Sequence, residues 1–233
     1  MKIILIGYGK MGRAIEKIAV ARGHEIAGRI DIGDAQALPA ADVAIEFTQP
    51  ESAVANIHRC IDAGIPVVVG TTGWQAHRTA IEQYVREKNG ALFTTSNFSP
   101  GVNIFFHLNQ YLARLMNTQD GYHVSMEETH HTQKKDAPSG TAITLAEGII
   151  GNFSNIKSWS VPGAPLQDAV EITSLRIDPA PGTHVIRYQS AIDDIEIRHT
   201  AHSREGFATG AVLAAEWLPG KKGVFGMNDL LKF

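Results

Sequence analysis

The run Ile3–Ile6 leads without a break into Gly7-Tyr8-Gly9-Lys10-Met11-Gly12, and this join limits what the chain can fold into. An aliphatic strand, a glycine turn and a helix must follow one another directly. The helix signal is Lys10–Arg22, where Met11, Ile15, Ile18 and Ala19 recur at helical spacing. G-x-G-x-x-G in that setting is the fingerprint of a dinucleotide-binding βαβ unit. Gly7 permits the tight turn, Gly9 lets the backbone approach a pyrophosphate, and Gly12 lets helix and strand pack closely. The helix N-terminus then offers unpaired amides and a partial positive charge to phosphate oxygens. Asp31 follows a second strand, Glu25–Ile30, and is placed to accept from ribose hydroxyls. That carboxylate slightly favours NADH over NADPH, although Arg13 and Arg29 are available to a 2′-phosphate. A glycine-rich turn with Asp31 capping a loop is the plain alternative. The strand before, the helix after and the acidic residue together weigh against it.

The alternation continues through the first hundred residues. Strands are expected at Val43–Phe47, Val67–Val69 and Ala91–Thr95, with helices at Glu51–Ala63 and Gln75–Lys88. Such a rhythm with short loops means right-handed βαβ units and a parallel sheet covered on both faces, a Rossmann-like doubly wound α/β fold. Ligands of these sheets bind beyond the carboxyl ends of the strands. Phe47-Thr48, Gly70-Thr71-Thr72-Gly73 and Ser96-Asn97-Phe98-Ser99-Pro100-Gly101 all leave such ends.

After about residue 101 the pattern changes to a smaller α+β unit with an open mixed sheet. A helix is expected at Val102–Met116, a strand at His123–His131 and a helix at Ser139–Ile150. Strands at Val170–Ile177, His184–Ala191 and Ile195–His202 follow, separated by Pro, Gly and Asp turn signals. Phe207–Leu218 is expected as a helix and Gly223–Phe233 as a tail. The chain has 233 residues, 44% hydrophobic and 19% charged, which excludes disorder and coiled coil. Its net charge of −3 speaks against general affinity for nucleic acid or anionic membranes, and no apolar run is long enough to span a bilayer. The sole cysteine, Cys60, excludes an intrachain disulfide and suits a reducing cytoplasm.

The stretch from Glu127 to Thr141, Glu-Glu-Thr-His-His-Thr-Gln-Lys-Lys-Asp-Ala-Pro-Ser-Gly-Thr, carries the second signal. Adjacent strand residues point to opposite faces, so His130 and His131 share a task only if the strand ends there. Two lysines follow, and Ser139 can cap a helix whose first amides, at Gly140 and Thr141, point outward. Histidine, lysine and a helix N-terminus converging on one spot make a carboxylate site, and a histidine titrating near neutrality is also a proton donor. The plain alternative is a solvated basic loop. A zinc site pairing His130 or His131 with His199 or His202 lacks cysteine ligands and a dense motif, so no metal is expected.

These residues resemble the dihydrodipicolinate reductase family. H-H-x-x-K-x-D-A-P-S-G-T stands complete from His130 to Thr141. Glu46–Pro50, the Gly70–Gly73 loop, Asn97–Asn103 and Gly223–Leu231 match further family runs in order. Gln133 departs from the pattern, standing where a basic residue is common, and Arg176–His184 fits only loosely. The resemblance implies reduction of a cyclic, unsaturated dicarboxylate to tetrahydrodipicolinate with NADH or NADPH, in lysine and diaminopimelate biosynthesis. It implies His130 and Lys134 as catalytic proton donors. His131, Lys134, Gly140 and Thr141 would bind the substrate carboxylates. The dinucleotide would be bound by Gly7, Tyr8, Gly9, Lys10, Met11, Gly12, Asp31, Phe47, Thr48, Gly70, Thr71, Thr72, Thr95, Ser96, Asn97 and Phe98. It also implies a homotetramer assembled through the second domains. The dinucleotide domain would be discontinuous, 1–101 with 206–233, around a substrate and oligomerisation domain at 102–205.

Two other classes compete. A two-domain amino-acid dehydrogenase, acting on diaminopimelate or aspartate, shares the fingerprint but has no need of the K-x-D-A-P-S-G-T loop. A nucleotide-sensing regulatory module would need a DNA-reading or partner-binding element, and neither a helix-turn-helix signature nor a basic stripe is present.

Overall fold

A computed structural model describes residues 1–31, 37–164, 166–203 and 205–233. The chain divides into two compact units, Met1–Pro100 with Glu205–Phe233, and Gly101–Arg204.

The first unit opens with β1 (Lys2–Ile6), α1 (Lys10–Ala21), β2 (Glu25–Ile30), β3 (Val43–Glu46), α2 (Pro50–Asp62) and β4 (Val67–Val69). The single helix expected over Gln75–Lys88 is instead a 3₁₀ turn, Gln75–His77, followed by α3 (Arg78–Glu87); β5 (Ala91–Thr94) comes next. The turn is anchored by Trp74, buried with its indole N–H donating to Thr71 O at 2.8 Å, so packing of one aromatic interrupts the helix.

The second unit holds α4 (Pro100–Met116) from its second residue on, β6 (His123–His130), α5 (Gly140–Ile150), β7 (Ser158–Ser160), β8 (Ala169–Arg176), β9 (Gly182–Gln189) and β10 (Asp194–Ala201). Its sheet runs β10-β9-β6-β8-β7 and is mixed. β6 pairs parallel with β8 and antiparallel with β9. β7 was not expected from sequence: three residues are too few to show a period, and the strand exists by pairing parallel with β8. One face of the sheet packs on α4 and α5 through Val124, Met126, Val170, Ile172, Ile186 and Tyr188.

The chain then returns to the first unit as α6 (Glu205–Trp217), β11 (Gly223–Phe225) and α7 (Met227–Leu231). The expected tail is therefore ordered structure. β11 adds parallel to β5, Val224 packs against one core layer and Phe225 against the other, and Phe225 meets Trp217 edge-on at 5.2 Å. The completed sheet is β11-β5-β4-β3-β1-β2, with every pair parallel. Alternate strand residues enter opposite layers. Ile3, Leu5, Val43, Ile45, Val68 and Phe93 pack with α1 and α6, while Ile4, Ile6, Ala44, Val67, Val69 and Leu92 pack with α2 and α3. Burial on both faces is why these strands read as unbroken aliphatic runs. No helix among the described residues is long and apolar enough to cross a membrane.

Candidate active site

In the first unit a cleft of about 590 Å³ lies beyond the carboxyl ends of the parallel strands. Gly9, Lys10, Met11, Phe47, Thr48, Gly70, Thr71 and Thr72 line it, with Gln49 and Pro50. Gly7 has φ +93°, and a Cβ on Gly12 would lie 2.2 Å from Gly7 O, so the turn tolerates no side chain there. A Cβ on Gly9 would meet nothing within 4 Å, and Gly9 caps α1 without any side-chain bond. An open glycine ahead of an uncapped helix N-terminus is a cradle that fits a pyrophosphate. Two of the strand-end loops are tied together, because Thr48 N donates to Thr71 Oγ1 at 2.7 Å and Thr48 Oγ1 donates to Glu46. Glu46 is fully buried; Asn56 also donates to its Oε1, and its Oε2 has no hydrogen-bond partner among the described residues.

The other residues expected at this site are placed differently. Tyr8 lies under the guanidinium groups of Arg13 and Arg29, at 4.8 and 5.6 Å from its ring centroid, and its hydroxyl donates to Glu16. Arg29 also pairs with Glu16, and these two bonds, Arg29 first, hold the Glu16 carboxyl below its ordinary range. Asp31 is exposed at the end of β2, and residues 32–36 after it lie outside the described residues. Thr95, Ser96 and Asn97 form a turn at the end of β5, held by Thr95 Oγ1 donating to Asn97 O at 3.1 Å. Phe98 is buried against Phe47 and Phe93, so its ring belongs to the core and only its backbone is available to a ligand.

In the second unit the register of β6 gathers a cluster of ionisable groups. Val124, Met126, Glu128 and His130 share one face by the two-residue period of a strand. Met126 sits between Ile172 and Ile186; one step further Glu128 sits between Ser174 and His184, and His130 is opposite Arg176. The inward face of a single sheet thus changes from aliphatic to ionisable along its length. Glu128 is fully buried, and its Oε1 accepts from Ser139 N (3.1 Å), Ser174 Oγ (2.9 Å) and Arg176 Nη2 (3.2 Å). Its Oε2 faces His130 Nδ1 at 3.4 Å and His184 Nε2 at 3.7 Å. Burial pushes the Glu128 carboxyl up, but the donors Ser139, Ser174 and Arg176 outweigh it and leave the acid below its ordinary range. Burial pushes His184 down to about 4, so it is neutral at neutral pH. His130 is also lowered, first by burial and then by Lys134 and Arg176, with Glu128 opposing. The two imidazoles meet edge-to-face at 5.2 Å. Removing one member of such a buried charged cluster costs about 3–5 kcal/mol.

The following loop is stapled to β8. Arg176 donates to Asp136 O at 2.6 Å and Lys134 O at 3.3 Å, and Asp178 accepts from Thr132 N and Oγ1. Strand β6 ends at His130, so His131 leaves the alternation. Lys134 Nζ bonds both oxygens of Asp136, at 2.8 and 2.9 Å, which lowers the Asp136 carboxyl. Ser139 caps α5 by accepting from Ala142 N at 3.2 Å. That leaves the amides of Gly140 and Thr141 at the open end of the helix, with no partner seen among the described residues. Sequence reasoning missed Glu128, Arg176 and His184. Glu128 was one acid in a polar run, and only the strand pairing shows which residues oppose it. The zinc pairing weighed from sequence named His199 and His202, whereas Glu128 and His184 are the groups beside His130, with ligand-type atoms within 4.8 Å of one another. The guanidinium on the same carboxylate opposes a dication there.

A glycine-turn dinucleotide cradle in a parallel sheet, with a second α+β unit carrying a histidine–lysine site, defines a two-unit pyridine-nucleotide oxidoreductase. Residues 1–98 match the family described as dihydrodipicolinate reductase, N-terminus, and residues 101–231 match its C-terminus. The chain belongs to the dihydrodipicolinate reductase family. It is 46% identical over 238 aligned residues to a 4-hydroxy-tetrahydrodipicolinate reductase of Christiangramia forsetii, covering 99% of this chain and 98% of that protein. A Neisseria gonorrhoeae protein of the same name is 36% identical over 201 residues, covering 83% of this chain and 74% of that one. In fold, the chain matches a dipicolinate-bound dihydrodipicolinate reductase from Paenisporosarcina sp. TG-14 with TM-score 0.80 at 20% identity, covering 97% of each chain.

Proposed function

We infer that the chain reduces 4-hydroxy-tetrahydrodipicolinate, the cyclic dicarboxylate made by the preceding synthase, to tetrahydrodipicolinate. The observation that carries this reading is the α5 N-terminus, where two unengaged amides follow Lys134 and His130 in one loop. When bound, the reduced dinucleotide supplies a hydride. The chain's own residues do the rest. Gly9 and the first amides of α1 hold the pyrophosphate, and Asp31 accepts from the adenosine ribose. Tyr8, Lys10, Met11, Phe47, Thr48, Gly70, Thr71, Thr72 and the Thr95–Phe98 turn complete the dinucleotide site. Gly140 and Thr141 amides, His131 and Lys134 grip the two carboxylates and orient the ring. A substrate carboxylate must replace Asp136 on Lys134, an exchange of one anion for another. The ring hydroxyl and a neighbouring ring proton leave as water, giving an α,β-unsaturated imine; Lys134 then stabilises the negative charge that hydride addition places on the ring, and His130 donates the proton that quenches it.

NADH is the favoured cofactor. Asp31 repels a 2′-phosphate, and Arg29 is already held by Glu16. We propose a homotetramer built through the second unit, whose sheet edge exposes Ile195, and the cytoplasm as its compartment, in keeping with the free, buried Cys60. A coupled assay with the synthase product, run once with each cofactor, tests the activity: loss of reduced-nicotinamide absorbance is expected with both, faster with NADH. No loss with either, together with oxidative deamination of diaminopimelate or aspartate, would move the chain to the dehydrogenase reading. Light scattering in solution tests the tetramer.

A further inference from the structure

We propose that Glu128 is a positioning residue for the reaction: its carboxylate accepts a hydrogen bond from Nδ1–H of His130, fixes the ring, and leaves Nε2 as the nitrogen that gives up a proton. The proposal rests on the reading of His130 as the acid. Its basis is the direction in which Glu128 points. Oε1 is fully engaged by Ser139, Ser174 and Arg176, so the carboxylate cannot swing. Oε2 is buried, has no hydrogen-bond partner among the described residues, and lies 3.4 Å from His130 Nδ1, which is buried and likewise unpartnered among them. Two buried, unpartnered atoms of complementary type at that distance need only a small approach to form a charge-assisted bond. The other ring nitrogen faces Gly182, where a Cβ would come within 3.1 Å of Nε2. That glycine keeps the donating side of the ring clear. A buried carboxylate behind an imidazole is a recurrent way to set its tautomer and to stabilise its protonated form.

In the proposed step the ring carbon left electron-rich by hydride addition takes the Nε2 proton. The N–H bond breaks, its electron pair stays on nitrogen, and the new C–H bond uses the pair on carbon. Neutral His130 keeps Nδ1–H on Glu128 and regains its second proton from water. The groups that face His130 are Glu128 on its own strand, His184 on β9, Arg176 on β8, and Lys134 and Asp136 in the loop. Of these the two cations disfavour imidazolium, and Glu128 is the nearest anion that favours it.

The test is Glu128→Gln, which keeps an acceptor for the three Oε1 donors while removing the charge. We expect kcat at neutral pH to fall about tenfold or more and KM for the dicarboxylate to stay within about twofold. The alkaline limb of kcat should move down by about one pH unit, because His130 loses its counter-charge. Wild-type kcat with an unmoved limb would overturn the proposal. Should the variant fail to fold, nitrogen NMR of ring-labelled wild-type enzyme decides instead: neutral His130, assigned by its loss in His130→Gln, is expected as the Nδ1–H tautomer, and an Nε2–H tautomer would overturn it. If His130→Gln itself retains wild-type kcat, the acid assignment fails separately, and the tautomer still reports whether Glu128 holds the ring.

Discussion

The two units each bury a glutamate completely, Glu46 as the last residue of β3 and Glu128 two residues before the end of β6, and the two carboxylates keep different company. Glu46, on β3, accepts from a threonine hydroxyl and an asparagine amide, both neutral. Glu128, on β6, accepts from a guanidinium and faces two imidazoles. The first carboxylate ties loops whose backbone and small side chains line the cleft. The second sits among groups that titrate. Binding a dinucleotide needs shape and oriented amides, whereas moving a proton needs ionisable groups held at set distances.

The largest way to break this contrast is Lys134→Ala. Loss of the cation should lower kcat by about 10²-fold or more, while His24→Ala, a change at a side chain bonded to Glu216, should leave kcat near wild type. Equal rates for the two variants in steady-state assays would remove Lys134 from the chemistry.

Gly12→Ala attacks the other unit. Its methyl would collide with Gly7 O at 2.2 Å, so the turn must open. KM for the dinucleotide should rise about tenfold or more, a change of at least about 1.4 kcal/mol in binding, with a lower melting temperature. Unchanged dinucleotide titrations would show that the cradle does not need its close approach.

Acid stability sharpens the comparison further. The pKa of His184 is depressed on folding to about 4 from an ordinary 6.5, so the unfolded chain binds the extra proton. The stability from keeping this ring neutral is present above pH 6.5 and is lost as pH falls towards 4. The whole effect is at most about 3 kcal/mol. His184→Gln should flatten the fall in melting temperature between those two pH values, measured by calorimetry. An unaltered slope would mean that other groups carry it.

The smallest expected effect is on cofactor choice. Glu16→Gln removes the anion that holds Arg29, and the freed guanidinium should improve kcat/KM with NADPH relative to NADH a few-fold. An unchanged ratio would leave Asp31 as the dominant discriminator.

Legibility differed between the units for a physical reason. The dinucleotide turn is local: Gly7, Gly9 and Gly12 are near neighbours, so their spacing is visible in the chain. His130, Lys134, Gly140 and Thr141 also lie within one short segment, so the chain alone suggests taking them together. Glu128 and His184 could not be linked, because they meet only through the pairing of β6 with β9. Phe98 looked like a site residue by position, and packing against Phe93 placed its ring in the core. β11 looked like a tail because a three-residue strand has no period; pairing with β5 makes it a strand.

By itself the sequence determined the strand–turn–helix join at Gly7–Gly12, the doubly wound first unit and the polar loop before α5, since each depends on residues close together in the chain. The tertiary structure decided which acid stands behind His130, which partner holds Lys134, and which strands complete each sheet. Those outcomes depend on register between distant segments, where a slip of one residue would turn Glu128 and His130 together to the opposite face, away from Arg176 on β8 and His184 on β9.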